Sequence, residues 1–138
     1  MPDPAASARF PASEAPCPCR SGDRFGTCCE SFVSGRATAP TASQLMRSRY
    51  TAFAVGAADY LLATWHPTTR PAALDLDDRL EWNGLTILAT ERGGPFDSDG
   101  TVEFVARYRE GDERGRLHEV SRFRREGGRW YYLDGIVE

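Results

Sequence analysis

The chain has 138 residues with 41% hydrophobic and 27% charged residues, enough for one ordinary core and a small appendage. Its net charge of -3 excludes a whole-surface attraction to nucleic acid or anionic membrane, and no run approaches the ~20 apolar residues of a membrane span. All 17 basic residues are Arg, with no Lys, which fits a compositional bias better than a guanidinium-specific function.

Residues 1–14 are rich in Ala, Pro and Ser and lack an apolar run of signal-peptide type, so they read as a disordered lead-in. A cytoplasmic, reducing location is the resulting expectation, and it favours metal over disulfide for the cysteines. Residues 15–36 contain all four cysteines of the chain: Cys17-Pro-Cys19, eight residues, then Cys28-Cys29. Soft thiolates in two close pairs are a ligand set for a tetrahedral metal, above all zinc. A disulfide within either pair would close a small strained ring, a Cys-x-x-Cys redox motif is absent, and the spacing does not match common iron–sulfur runs. With all four positions filled by protein, the site is closed and structural, holding one zinc per chain. Arg20, Arg24 and Arg36 are placed to offset the formal -2 charge of four thiolates around Zn²⁺.

Residues 41–138 form the larger domain. Thr41-Ala-Ser-Gln44 has capping-box spacing and opens a helix whose apolar positions are Met46, Tyr50, Phe53 and Ala57. Gly56 is a plausible stop. Tyr60 to Trp65 suggests a second helical segment ended by His66-Pro67, with His66 read as a loop histidine and residues 68–80 as irregular. From Glu81 the period becomes two, giving strands over about 81–90, 101–109, 116–126 and 129–137, with Gly127-Gly128 as a two-residue hairpin turn. Helices before strands indicate an α+β fold on an antiparallel four-stranded sheet.

Hairpin register assigns the faces. Pairing Phe123 with Tyr132, Ser121 with Asp134 and Tyr108 with Leu117 puts Val102, Phe104, Ala106, Tyr108, Leu117, Phe123, Trp130 and Tyr132 on one face, the core. Glu103, Arg107, His118, Arg122 and Arg124 take the solvated face. Glu119, Ser121 and Asp134 also fall on the apolar face, where a carboxylate is costly unless paired or facing a wet cavity. They are candidate pocket residues together with Tyr108, Tyr132 and Arg49; the alternative is a satisfied buried network using Arg47 or Arg49.

Two resemblances attach to these residues. Pro16 to Cys29 resembles the SEC-C motif, the zinc-binding tail of the SecA translocation ATPase, with Cys17, Cys19, Cys28 and Cys29 at its ligand positions and Phe25 at its aromatic. Arg20 stands where that motif usually has Gly. The run Gln44 to Phe53, Trp82-x-Gly-Leu-x-Ile-Leu88, Val102 to Tyr108, His118 to Phe123 and Trp130 to Gly135 resembles the uncharacterised YchJ-type bacterial proteins. That resemblance implies a SEC-C module ahead of a domain like nuclear transport factor 2, with helices wrapped on a curved sheet to form a cone with an internal pocket, as in cystatin-like folds. It lends no reaction. Three roles remain as expectations: an adaptor docking a protein or ribonucleoprotein through the zinc module, a small-molecule pocket in the cone, and a homodimer through the exposed side of the sheet.

Overall fold

The structure is a computed structural model, describing residues 9–77 and 79–138. A 3-10 turn at Phe25–Thr27 precedes helices α1 (Glu30–Val33), α2 (Ala42–Val55) and α3 (Ala58–Ala63). Strands β1 (Leu80–Arg92), β2 (Asp99–Glu110), β3 (Glu113–Glu126) and β4 (Arg129–Val137) then form one antiparallel sheet in sequence order.

Local chemistry sets the ends. The Thr41 hydroxyl accepts from the Gln44 amide (3.1 Å) and donates to the Gln44 side-chain oxygen (2.9 Å), so the capping pair closes on itself. Gly56 ends α2 in the left-handed region at φ 81°, which a side chain would resist. The β3–β4 turn has both Gly127 and Gly128 at positive φ (59° and 79°), the twist a two-residue hairpin needs.

Two details of strand pairing differ from the sequence expectation. The β2–β3 turn is two residues long, Gly111-Asp112, so Tyr108 faces Gly115 and Ala106 faces Leu117, a slip of two residues that leaves the faces unchanged. Between β3 and β4 a bulge intervenes: Phe123 faces Tyr132, but Arg122 faces Asp134 and Ser121 faces Gly135, with Leu133 as the extra residue. The bulge sends Asp134 to the solvated face. Further irregularities in β1, between Trp82 and Gly84 and between Ile87 and Ala89, bend the opposite edge.

The inner sheet face, with Val102, Phe104, Ala106, Phe123 and Trp130 all at most 3% exposed, packs against α2. The chain leaving α3 adds to the β4 edge: the Tyr132 amide donates to Thr64 O (2.8 Å) and the His66 amide to Tyr132 O (2.7 Å). His66 lies in a loop as expected, fixed there by its amide. It is buried, with its ring nitrogens against Thr68 Oγ1 (2.7 Å) and Glu126 Oε1 (3.0 Å).

Buried Cys17, Cys19, Phe25, Cys29 and Val33 belong to the same continuous core as α2 and the sheet. The lead-in is corrected in part. Residues 9–14 are held in place: the Arg9 amide donates to Val55 O (2.8 Å), Phe10 lies against Phe25 with ring centroids 5.9 Å apart, and the Gly26 amide donates to Ser13 O (2.8 Å). The rest of that expectation, residues 1–8, lies outside the described residues. Among the described residues no helix is long and apolar enough to cross a membrane.

Candidate functional site

The cysteine cluster is built from two knuckles. An isolated bridge between Pro16 and Arg24, closed by Cys17 N to Asp23 O (3.0 Å) and Phe25 N to Ala15 O (2.8 Å), folds the first knuckle back on itself. Within it the Arg20 amide donates to Cys17 O (3.0 Å), and Arg20 sits at φ 60°. That left-handed conformation gives a physical reason for the Gly usual at this place in the motif. The second knuckle uses the start of α1, where the Phe32 and Val33 amides both reach Cys29 O.

The four Sγ atoms all lie within 4.8 Å of one another, with Cys19–Cys28 at 3.6 Å and Cys28–Cys29 at 3.8 Å. A tetrahedron with Zn–S of ~2.3 Å has edges of about 3.8 Å. Donor type, number and spacing therefore fit a four-thiolate metal centre. Around the sulfurs, Ser21 Oγ lies 3.2 Å from Cys28 Sγ, Thr51 Oγ1 lies 3.7 Å from Cys17 Sγ, and Arg47 donates to Cys19 O (3.3 Å) and toward Cys19 Sγ (3.9 Å).

The thiols do not ionise alike. Hydrogen bonds from Cys17 and Cys29 hold Cys19 well below the usual thiol range. Its bond with Cys17 pushes Cys29 far above that range, and burial pushes Cys28 up to about 11. One thiolate is easily accommodated; four so close together require a cation.

Arg47, a candidate for the Glu119 network, instead reaches Cys19, and Thr51 was not among the expected site residues, although their i, i+4 spacing on a helix was readable. The expected Arg20, Arg24 and Arg36 are exposed, and Arg36 instead approaches Glu30 (3.6 Å).

The second candidate site is a cavity of about 220 Å³ between α2, the end of α3 and the sheet, with Phe53, Trp82, Phe104 and Leu117 in its apolar wall. Of the expected pocket residues, the structure brings together Arg49, Glu119, Ser121 and Tyr132. Ser121 donates to Glu119 Oε2 (2.7 Å), and the carboxylate lies over Gly135, where a Cβ would come within 2.5 Å of Glu119 Cδ. Arg49 is buried, with Nη1 donating to Leu61 O (2.8 Å) and Thr64 Oγ1 (2.7 Å). Its Cζ lies 4.6 Å from the Tyr132 ring centre and 5.1 Å from that of Trp65. Burial lowers the Arg49 guanidinium to about 10 and raises the Tyr132 phenol to about 12.

Two expected pocket residues lie elsewhere. Asp134, turned outward by the bulge, is paired with Arg122 (Nε to Oδ1, 2.6 Å), and that guanidinium holds its carboxyl below the usual range. Tyr108 lies one rung beyond the cavity, over Gly115 and edge-on to Trp82 with ring centroids 5.4 Å apart. On the opposite face His118 meets Glu103 (Nε2 to Oε2, 2.7 Å), away from the cavity. Trp65 was not an expected lining residue, because a Trp at the end of a predicted helix carries no sign of where the chain turns next.

Comparisons with known proteins agree with this arrangement. The family model described as "YchJ, middle NTF2-like domain" matches residues 41–135, and the SEC-C motif matches residues 15–31. A UPF0225 protein of Chromobacterium violaceum is 51% identical over 129 residues, covering 91% of this chain and 95% of the relative. One from Streptomyces coelicolor is 55% identical over 120 residues, covering 87% and 94%. The solution structure of a SEC-C motif-containing protein from Rhodopseudomonas palustris superposes with a TM-score of 0.78 at 35% identity, covering 88% of this chain and 98% of that one. A crystal structure of a SEC-C motif-containing protein from Psychrobacter arcticus gives 0.73 at 26% identity, covering 94% and 85%. The chain therefore belongs to the YchJ-type UPF0225 family, in which a SEC-C motif precedes a domain like nuclear transport factor 2.

Proposed function

We propose that Cys17, Cys19, Cys28 and Cys29 hold one structural zinc ion, which fastens the N-terminal segment onto α2 of a small-molecule-binding domain. The observation that carries the zinc reading is the thiol cluster, with four Sγ atoms within 4.8 Å of one another. A site with four protein ligands keeps no open position for substrate, so the ion's contribution is to fold and not to reaction. X-ray absorption at the zinc edge tests this: the expected spectrum has four sulfur neighbours at ~2.3 Å. A shell containing oxygen or nitrogen would contradict the assignment.

The cavity supports the binding role. A partly enclosed, mostly apolar cavity with a few convergent polar groups is the usual form of a ligand site. Small apolar molecules should raise the Tm of the protein, and Ala106→Leu, which fills the chamber from its wall, should abolish that rise. A rise that persists in the filled variant would place the ligand elsewhere.

The adaptor role rests on a narrower surface, because the inner side of the cysteine segment is buried against α2 and the exposed charges left to a partner are Arg20, Asp23, Arg24 and Arg36. Since this segment shares the core, its docking is tested by replacing those four residues rather than by deletion. The homodimer role rests on exposed Ile136 and Val137 of β4 (66% and 63% exposed), and light scattering decides it.

A further inference from the structure

We propose that the cone cavity is a receptor for a small organic monocarboxylate, with the carboxylate seated on Arg49 and an apolar body filling the remaining space. The inference rests on the cavity being a ligand site and names what that site selects.

Arg49 is the starting point. It is 3% exposed, yet no ion pair among the described residues includes it. Nη1 is engaged by Leu61 O and Thr64 Oγ1, while Nε and Nη2 have no protein acceptor among the described residues. The faces of Trp65 and Tyr132 disperse part of the charge but supply no counterion. Glu119, which lines the same cavity, acts on the guanidinium through space without forming an ion pair, so the buried cation is only partly compensated and a bound anion has more to gain here than at the surface.

The neighbouring polar groups point the same way. The indole Nε1 of Trp65 is buried with no acceptor among the described residues. The Tyr132 hydroxyl makes no hydrogen bond to the described protein, and it is held as a neutral donor. The unmatched donors that line the cavity, on Arg49 and on Tyr132, call for a group that only accepts, and a planar carboxylate matches a guanidinium fork.

Size and charge narrow the class. A cavity of about 150 Å³ holds benzene, so 220 Å³ holds on the order of ten non-hydrogen atoms. Met46, Phe53, Trp82, Phe104 and Leu117 suit an aryl or alkyl body. Among the described residues Glu119 is the only acid lining the cavity, and it repels negative charge on the ligand, a dianion more than a monoanion. Dicarboxylates and phosphate monoesters are thereby disfavoured.

The test is calorimetric titration of the full chain at neutral pH with benzoate, phenylacetate and hexanoate, each beside its neutral amide, and with phenyl phosphate. The expected result is at least about tenfold tighter binding of each acid than of its amide, with phenyl phosphate weaker than the acids. Arg49→Met should erase the difference between acid and amide while keeping amide binding, which a purely structural arginine would not do. If Arg49→Met does not fold, Glu119→Gln decides: the ratio of acid to amide affinity should rise several-fold. Equal binding of acid and amide overturns the carboxylate assignment while leaving the cavity as a ligand site. Tightest binding of phenyl phosphate overturns it in favour of a phosphate ligand. Binding of no member of the series at millimolar concentration overturns both readings.

Discussion

The cysteine segment and the cone cavity lie on different sides of α2 and reach their polar arrangements by opposite routes. In the segment, four thiols sit within 4.8 Å of one another because two knuckles place them there, and the fold around them uses few hydrogen-bonded elements. In the cavity, Arg49, Glu119, Ser121 and Tyr132 meet only because a long helix, the end of a short one and two strands are packed together. The first site is local and specified by ligand chemistry; the second is a consequence of register. One helix serves both, since Arg47 and Thr51 approach the thiols while Met46, Arg49, Tyr50 and Phe53 line the cavity.

The largest test of this contrast is Cys19→Ser. It should abolish zinc binding and lower Tm by roughly 10–15 °C, because loss of a structural metal falls among the most severe single changes. Hydrogen exchange should then show amides of residues 15–36 losing protection while those of β2 and β3 keep it. Uniform loss of protection would mean that the sheet depends on the metal as much as the segment does. Phe25→Ala probes the shared core without touching a ligand. Phe25 is fully buried, so a loss of about 3–5 kcal/mol by chemical denaturation is expected, with zinc stoichiometry unchanged. A loss below about 1 kcal/mol would separate the segment from the main core.

Gly135→Ala addresses the cavity floor. A methyl group there would meet the Glu119 carboxyl at 2.5 Å, and moving it should cost about 1–3 kcal/mol while leaving the metal site untouched. The smallest effect is a gain. Arg20 occupies φ 60°, so Arg20→Gly should stabilise the zinc-bound protein by about 0.5–1 kcal/mol. No gain would mean that the Arg20 side chain makes compensating contacts.

Legibility in the sequence divides along the same line. The thiol cluster was legible from spacing alone, because ligands close together in the chain need little tertiary structure to meet. The element order, the Thr41 cap and the Gly127-Gly128 turn were legible from periodicity and backbone preference. The faces of β2 and β3 were legible too, since a slip of two residues keeps every side chain on its side. Asp134 was not, because one extra residue at Leu133 reverses the face of the residues after it, and nothing in an alternating pattern marks where a strand will bulge. Tyr108 was misplaced by the same kind of cause: a two-residue turn at Gly111-Asp112 moves its partner from Leu117 to Gly115. Residues 9–14 looked disordered by composition, yet Phe10 had an apolar partner in Phe25 that composition does not show.

The proposed tie between the N-terminal segment and α2 is four thiolates around one metal ion. Native mass spectrometry of the purified chain tests it most directly. The predicted result is one zinc per chain, removed by a chelator together with protection of the cysteines from alkylation. A chain carrying iron, no metal, or cysteines joined in disulfides would contradict it.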